Sequence, residues 1–549
     1  MSNSRMKNQV NPLTVLLFIS AVFIVLAAVS LFFPPEGIKI SDDFRFRFPN
    51  LESVLQTDIP EYADISHLTE RYRPDEEFAG GEWTGRDTVV DTVRDTAGPD
   101  AGPEMDEGLL QPASEAEKKA EVNDVTGDGR PASANGEHAM TDTEPAPPGE
   151  EPVPADEGRL REVIFPLELP DGEIKVLDPF FSHLHNAGEG GGAMRIIHYG
   201  DSQIENNRIT SALRNRMQAR FGGGGTGMFP VISPAPHNAS VRVMTGGNWV
   251  RYTPLERARE SREDFRYGLL MSFCSLEPVT GGNTEGAFTL RPTGLGPARS
   301  REMEMLTVFT GFNSSPFTVE LLSGEQRIDA DLIFPSDSLV FARWLLPNGS
   351  AEYTVRFAGR GSLPVFSVSV DNYLGVGIDN VPMRGSSGLE FSRSSREPMA
   401  KMMELLNVRL LILQFGVNVV PDIADDYTWY ENSLVRQLNY LKSLSHDISI
   451  IVIGVSDMSL TRPGGYYESF PNIGLIRDAQ RRAAFRSGAA FWDLYGAMGG
   501  RNSMPSWVNA DPPLGQADHV HFTFRGSALI GDLLYDAIMQ GYERWLESN

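Results

Sequence analysis

Apolar runs alternate with helix-compatible segments in the C-terminal part of the chain, and this alternation predicts a parallel α/β sheet. "RIIHY" (195–199), "RLLILQFG" (409–416) and "ISIIVIG" (448–454) are near-continuous apolar runs, as expected for parallel strands covered on both faces. "WYENSLVRQLNYLKSL" is a helix candidate between the last two, and "SALIGDLLYDAIMQGYERWL" predicts a terminal helix. The order predicts a doubly wound open sheet, which binds ligands at the carboxyl ends of its strands.

A helix is predicted soon after the first of these strands. Its apolar stripe has a spacing of four and consists of Ile209, Leu213, Met217 and Phe221. "GGGG" at 222–225 ends the helix. Gly200-Asp201-Ser202 lies between strand and helix, and two interpretations of it are open: a nucleophile on a tight turn above the sheet, or a turn capped by Asp or Ser.

The pattern changes between residues 237 and 373. Short β-rich runs such as "MLTVFTGF", "PFTVELLSG" and "PVFSVSVDN" are separated by Gly, Pro, Asn and Ser, which predicts a β-sandwich inserted into the α/β domain. Two roles are open for its aromatic residues, sugar stacking and core packing, and core packing is favoured for Trp249, Phe309, Trp344 and Tyr353.

Residues 13–33 form an uncharged apolar run that predicts a transmembrane signal anchor. A helix of this length spans roughly 30 Å, the thickness of a bilayer core, and no cleavage motif follows it. Arg5 and Lys7 precede the run, so the tail 1–12 is predicted to stay in the cytoplasm and the catalytic part to lie in the periplasm. A buried core helix is the alternative interpretation.

The net charge of −25 is concentrated in one segment. Residues 75–158 contain 23 acidic and 5 basic residues, so they carry −18 of the total. This segment is rich in Pro, Gly and Ala, which predicts a disordered acidic linker that tethers the globular part at a distance from the membrane. The juxtamembrane segment 34–74 either docks or stays loose. The lack of clustered Lys and Arg argues against a nucleic-acid partner.

Cofactor and metal chemistry find no support in the sequence. Cys274 is the single cysteine, and its apolar neighbours indicate a buried hydrophobe. Three histidines lie near the first strand without a carboxylate at a recognisable metal-binding spacing, so they are interpreted as structural: His183, His185 and His198.

Residues suited to acyl transfer follow the predicted strands. They are Ser202, Gly385, Asn418, Asp518 and His521. An imidazole accepts a serine proton, an acid three residues earlier orients the imidazole, and a backbone N–H with an amide receives an oxyanion. Alternative roles remain open for some of them: Asn418 as a turn residue, Asp518 as a helix cap, and His519 in place of His521.

Four blocks in order resemble the SGNH (GDSL-type) hydrolases. The blocks are Gly200-Asp201-Ser202, Gly385, Gly416-x-Asn418 and Asp518-x-x-His521. The longer stretch from "IIHYGDSQ" to "GGGGTGMFP" is similar to the start of periplasmic peptidoglycan O-acetylesterases, which carry an inserted β-sandwich similar to a carbohydrate-binding module. Two departures are Val419, where an acid is common in the family, and a loosely matched second block.

The resemblance implies roles for the residues of these blocks. Ser202 would be the nucleophile, His521 the base and Asp518 the residue that orients it. The oxyanion hole would consist of the N–H groups of Ser202 and Gly385 with the Asn418 side chain. The hydrolase domain would comprise 159–236 and 374–549, interrupted by the sandwich at 237–373.

The function that follows is a membrane-anchored serine esterase without metal or cofactor. Its substrate would be an O-acyl group, most simply O-acetyl, on a cell-envelope glycan such as peptidoglycan. Two alternatives stay open: an O-acetyltransferase that uses the same acyl-enzyme, and a non-catalytic glycan-binding or envelope scaffold protein.

Overall fold

The structure is a computed structural model. It describes residues 12–30, 38–39, 45–46, 60–71 and 165–549, except 173, 234–239, 256–265, 280, 294–295, 348–351 and 463–464. The linker predicted at 75–158 lies outside the described residues, as does most of 34–74.

The described elements are numbered in chain order. The α-helices are α1 (Pro12–Ser30), α2 (Ser66–Arg71), α3 (Asp178–Gly188), α4 (Arg208–Phe221), α5 (Arg396–Leu405), α6 (Thr428–Ser443), α7 (Ile473–Arg486), α8 (Leu494–Met498), α9 (Ser503–Asn509) and α10 (Phe524–Ser548). Short 3₁₀ helices lie at Pro170–Gly172, Ile174–Leu177, Ser202–Asn207, Arg299–Arg301 and Phe391–Arg393. The strands are β1 (Ile38–Lys39), β2 (Arg45–Phe46), β3 (Ala193–Gly200), β4 (Gly227–Phe229), β5 (Val241–Gly247), β6 (Trp249–Tyr252), β7 (Phe273–Leu276), β8 (Asn283–Pro292), β9 (Met305–Asn313), β10 (Phe317–Ser323), β11 (Gln326–Ile333), β12 (Ser336–Leu345), β13 (Tyr353–Arg360), β14 (Leu363–Asp371), β15 (Gly375–Pro382), β16 (Val408–Gln414), β17 (Ser449–Ile453), β18 (Ser459–Thr461), β19 (Tyr467–Ser469) and β20 (Ala490–Trp492).

A five-stranded parallel sheet forms the centre of the α/β domain. Its strand order is β15-β3-β16-β17-β20, and each neighbouring pair is parallel. Successive side chains point to opposite faces, so Ile196 and Ile412 join an apolar layer with α3, α4 and α10, whereas Ile197 and Leu411 join a layer with α5, α6 and α7. The predicted doubly wound α/β architecture is confirmed, because the apolar runs need cover on both faces.

Helix α4 has the predicted apolar stripe. All four stripe residues are buried in the layer that α4 shares with α10, and each contributes about 1.5–3 kcal/mol by leaving water. Gly222 follows the helix with φ +73°, a conformation that glycine adopts without steric cost.

Two antiparallel sheets form the inserted β-sandwich. One has the order β11-β10-β13-β8-β5, and the other has the order β12-β9-β14-β7-β6 with β4 added against β14. Phe288 and Val355 of the first sheet pack against Val308 and Val368 of the second in one apolar cluster. Strand β4 lies in the part of the chain predicted as α/β, so the sandwich sheet also includes residues before 237.

A buried ion cluster joins the sandwich to the α/β sheet. Arg195 of β3 contacts Asp371 at the end of β14 (2.6 Å) and Asp379 of β15 (2.7 Å). Asp379 also accepts the backbone N–H of Met228 in β4 (2.7 Å). Both carboxylates therefore have a buried cationic partner, which buried charges require.

Helix α1 covers most of the predicted membrane anchor. Within the part of the chain that the structure describes, no helix has both the length and the apolar character needed to cross a membrane. The anchor over 13–33 is therefore not confirmed and stays a prediction.

Candidate active site

Ser202 lies directly beyond the carboxyl end of β3. Gly200 ends the strand where a Cβ would lie 2.9 Å from the Gln414 carbonyl oxygen, so a side chain does not fit. Asp201 caps the following 3₁₀ helix by accepting the backbone N–H of Gln203 (3.0 Å). The two interpretations of the tripeptide are compatible: Asp201 caps the turn, and Ser202 stands at the turn's half-buried first position, so its role as nucleophile stays a prediction.

Ser202, His521 and Asp518 form a continuous hydrogen-bonded chain. Ser202 Oγ lies 2.8 Å from His521 Nε2, and His521 Nδ1 lies 2.7 Å from Asp518 Oδ2. The other carboxylate oxygen of Asp518 accepts the backbone N–H groups of Val520 (2.9 Å) and His521 (3.0 Å). With the imidazole proton on Nδ1, Nε2 is free to accept the serine proton, as in a serine hydrolase triad.

Asp518 is held in its charged form. Partial burial raises the pKa of Asp518. The hydrogen bonds from the His521 ring and from the backbone of His521 and Val520 have a larger, opposite effect, so the pKa lies well below its usual range. A permanent carboxylate fixes the imidazole tautomer and stabilises the imidazolium that forms during catalysis.

His519, the alternative to His521, is not part of the triad. Its ring stacks on Tyr467 with 3.5 Å between ring centroids, and its backbone has φ +57°. Burial lowers its pKa below the usual value. His519 therefore packs beside the catalytic loop, while His521 reaches the serine.

The candidate oxyanion donors Gly385 and Asn418 lie on two turns that contact each other. Strand β15 ends beside β3, where Met383 N–H donates to Gly200 O (2.7 Å), and a tight turn follows, closed by Ser386 N–H to Met383 O (3.0 Å). Gly385 occupies this turn with φ +75°, which is typical of the third position of a type II turn. Asn418 donates one amide hydrogen to Ser386 O (2.9 Å) and is otherwise exposed, so its second hydrogen remains for a ligand.

An ion pair that sequence reasoning missed connects these two turns. Arg384, next to Gly385, donates two hydrogen bonds to Glu205, three residues after Ser202 (2.7 and 2.6 Å). The Glu205 side chain is only 10 % exposed, whereas that of Arg384 is 72 % exposed. The bidentate geometry fixes the Gly385 turn relative to the Ser202 turn.

Gln203 is a second residue that sequence reasoning missed. It is buried, and its amide nitrogen donates to Val520 O and to Ser456 Oγ, each at 2.8 Å. The turn that carries Ser202 is thereby bonded to the loop that carries His521. The sequence offered only a polar residue directly after Ser202, because its burial is visible only in the structure.

The structure also places the residues with open roles. Phe309, Trp344 and Tyr353 are buried, and Trp249 packs against the sandwich core, so core packing is confirmed. Cys274 is buried, as predicted, and burial raises its pKa to about 11.

The histidines near the first strand have structural partners in two cases. His185 Nδ1 lies 2.9 Å from the Tyr542 hydroxyl. His198 is buried between Thr210 and Gln414, and burial lowers its pKa to about 4. Among the described residues, no group of three or more His, Cys, Asp or Glu side chains is arranged to hold a metal.

Comparison with known proteins rests on structure. No family model and no curated protein matches the sequence significantly. A solved peptidoglycan O-acetylesterase is 20% identical, with a TM-score of 0.53, and the match covers 67% of this chain and 96% of that one. Two family two carbohydrate esterases also match. The one from Cellvibrio japonicus is 9% identical with a TM-score of 0.20, and the match covers 56% of this chain and 99% of that one. The one from Clostridium thermocellum, in complex with cellohexaose, is 8% identical with a TM-score of 0.22, and the match covers 53% of this chain and 98% of that one.

Only the first of these similarities is strong enough to compare folds. It spans almost the whole of the esterase chain, and the four sequence blocks meet at one site in the present structure. The chain shares the fold of that peptidoglycan O-acetylesterase, and its Ser202, His521 and Asp518 are arranged like the catalytic triad of a serine hydrolase.

Proposed function

We propose that the protein is a serine esterase that removes O-acyl groups, most simply O-acetyl, from a cell-envelope glycan such as peptidoglycan. The observation that carries the proposal is the chain from Ser202 through His521 to Asp518, with contacts of 2.8 and 2.7 Å. The substrate class is supported by the similarity to a peptidoglycan O-acetylesterase.

The geometry fits a two-step acyl transfer. Ser202 Oγ attacks the ester carbonyl while His521 Nε2 accepts its proton, and the oxyanion forms beside the Gly385 turn and the Asn418 amide. The intermediate collapses, the glycan hydroxyl leaves with the proton from His521, and the acyl group stays on Ser202. Water then attacks the acyl-enzyme with His521 as base, and acetate and free serine are released.

Acetate release from O-acetylated peptidoglycan by the purified full chain tests the proposal. The wild type should release acetate, and Ser202→Ala should lower kcat by at least roughly a thousandfold because the covalent step is lost. Ser548→Ala, an exposed serine in the last helical turn, is the matched control and should keep full activity. A wild type without activity on any acetylated glycan would leave a binding or scaffold protein. Acetyl groups that appear on an added glycan in place of free acetate would indicate an O-acetyltransferase.

We further propose that the catalytic part lies outside the cytoplasmic membrane, anchored through residues 13–33. The support is the uncharged apolar run with Arg5 and Lys7 before it. A C-terminal tag should be digested by protease in intact spheroplasts. Protection of the tag until the membrane is disrupted would contradict this placement.

A further inference from the structure

A short segment before the acidic linker is bound to the α/β domain. We call residues 60–71 the strap. Its backbone pairs with the region around α9: Ala63 N–H donates to Asn502 O (3.3 Å), and Ser506 Oγ donates to Ala63 O (2.7 Å). Asn502 Nδ2 donates to Glu61 O (3.1 Å). These bonds satisfy strap backbone groups with partners more than 400 residues away in sequence.

Apolar contacts reinforce these hydrogen bonds. Ile65 is 8% exposed and Leu68 is 1% exposed, and both belong to the apolar layer that contains α10. Gly499 lies beneath the strap, where a Cβ would be 3.3 Å from Ile65 and 3.5 Å from Ala63. The absence of a side chain at this position lets the strap approach closely.

The strap is connected to the catalytic loop through the β18–β19 hairpin. Tyr467 of β19 donates its backbone N–H to the Tyr62 hydroxyl (3.4 Å), and its ring stacks on His519. Ser459 of β18 donates its backbone N–H to His519 O (3.2 Å). His519 lies between Asp518 and His521, so the hairpin contacts the loop that positions the catalytic base.

The other end of the acidic segment returns to the same body. At Phe165 the carbonyl oxygen accepts the indole N–H of Trp492 (3.0 Å), and Glu168 pairs with Phe491 of β20. Residues 72–164 therefore begin and end on one folded unit. The tether role expected for the linker stays a prediction, now for a segment whose two flanking described stretches both contact this unit.

We infer that the strap is a positioning element of the active site, which acts through Tyr62 and the β18–β19 hairpin to keep the Asp518–His521 loop aligned with Ser202. The inference rests on the proposed esterase function. Displacement of a catalytic group by about 1 Å costs up to a hundredfold in rate, so loss of the strap should lower kcat rather than raise KM.

The test uses the full chain with a protease site inserted within 75–158. After cleavage, the wild-type strap should remain bound and kcat should stay within twofold. In the cleaved Leu68→Asp variant, the strap should dissociate and kcat should fall at least tenfold with little change in KM. A synthetic peptide of residues 58–73 should then restore activity. His67→Ala, an exposed strap residue, is the matched control and should behave as the wild type.

A milder variant guards against misfolding. Tyr62→Ala in the uncleaved chain keeps Ile65 and Leu68 in the core. This variant should lower kcat, while its melting temperature should stay within a few degrees of the wild-type value. Strap dissociation with unchanged kcat, or failure of the peptide to restore activity to a folded cleaved variant, would overturn the inference. Binding of a fluorescent strap peptide is measured without substrate, so it reports on strap docking even when the protein is inactive. An inactive wild type would therefore refute the esterase proposal separately from the strap.

Discussion

Replacement of Gln203 by Met should separate a catalytic positioning role from a structural one. The side chain is buried, and its amide hydrogens reach Val520 O and Ser456 Oγ. Methionine has a similar volume but donates no hydrogen bond. The substitution therefore removes the bond from the Ser202 turn to the His521 loop at Val520, and a second bond to Ser456, while it leaves Ser202, His521 and Asp518 unchanged.

The magnitude follows from the two short hydrogen bonds that are lost, because the third, from Gln414 Nε2 to Gln203 Oε1, is long at 3.5 Å. Each contributes a net 0.5–1.5 kcal/mol, so the free energy of unfolding should fall by about 1–3 kcal/mol. The catalytic effect is expected to be larger, because the loop that carries the base is no longer fixed to the turn that carries the nucleophile. We expect kcat to fall roughly ten- to a hundredfold, with KM changed by less than about twofold.

Gln437→Met is the matched control for this experiment. Gln437 is also buried, and it makes two hydrogen bonds with Ser392, at 2.8 and 3.1 Å. Its loss should cost a similar free energy of unfolding without an effect on kcat. Hydrolysis of p-nitrophenyl acetate and urea unfolding of both variants provide the comparison. Equal kcat values for the two variants would refute the positioning role of Gln203.

Three further predictions concern the same site. Asn418→Ala should lower kcat about a hundred- to a thousandfold with KM nearly unchanged, measured on a small acetyl ester, because the amide meets charge that only the transition state carries. Glu205→Gln and Arg384→Gln should each lower kcat, and the double variant should be no slower than the slower single variant, since both break the same bidentate pair. Burial raises the pKa of Asp201 to about 7, above its unfolded value of about 3.9, so the folded state binds the extra proton. The free energy of unfolding should therefore fall as pH rises from about 4 to above 7, and Asp201→Asn should flatten this decline in urea unfolding at pH 5 and 8; an unchanged slope would contradict it.

Local sequence patterns determined the main elements of the fold and the candidates for the catalytic residues. Helical periodicity alone was enough to predict the buried stripe of Ile209, Leu213, Met217 and Phe221. The near-continuous apolar runs were enough to predict strands that are covered on both faces. Asp518 and His521 are three residues apart, so one local turn was enough to join them. These features depend on near neighbours in the chain, which a sequence displays directly.

The tertiary structure decided the features that depend on distant partners. The choice between His519 and His521 depends on which ring reaches Ser202. His521 does so although it lies 319 residues from Ser202 along the chain, whereas the His519 ring stacks on Tyr467. Glu205 and Arg384 gave no sequence signal, because a charge on a turn has the same pattern with or without a partner.

The strap shows the same limit most clearly. Ile65 and Leu68 are two apolar residues in a polar stretch, too few for a periodic signal. They become core residues only because folding brings Gly499 and the α9 region beneath them. Burial is a property of the assembled surface, so the sequence alone determined the candidate catalytic residues, while the assembled structure decided what holds those residues in place.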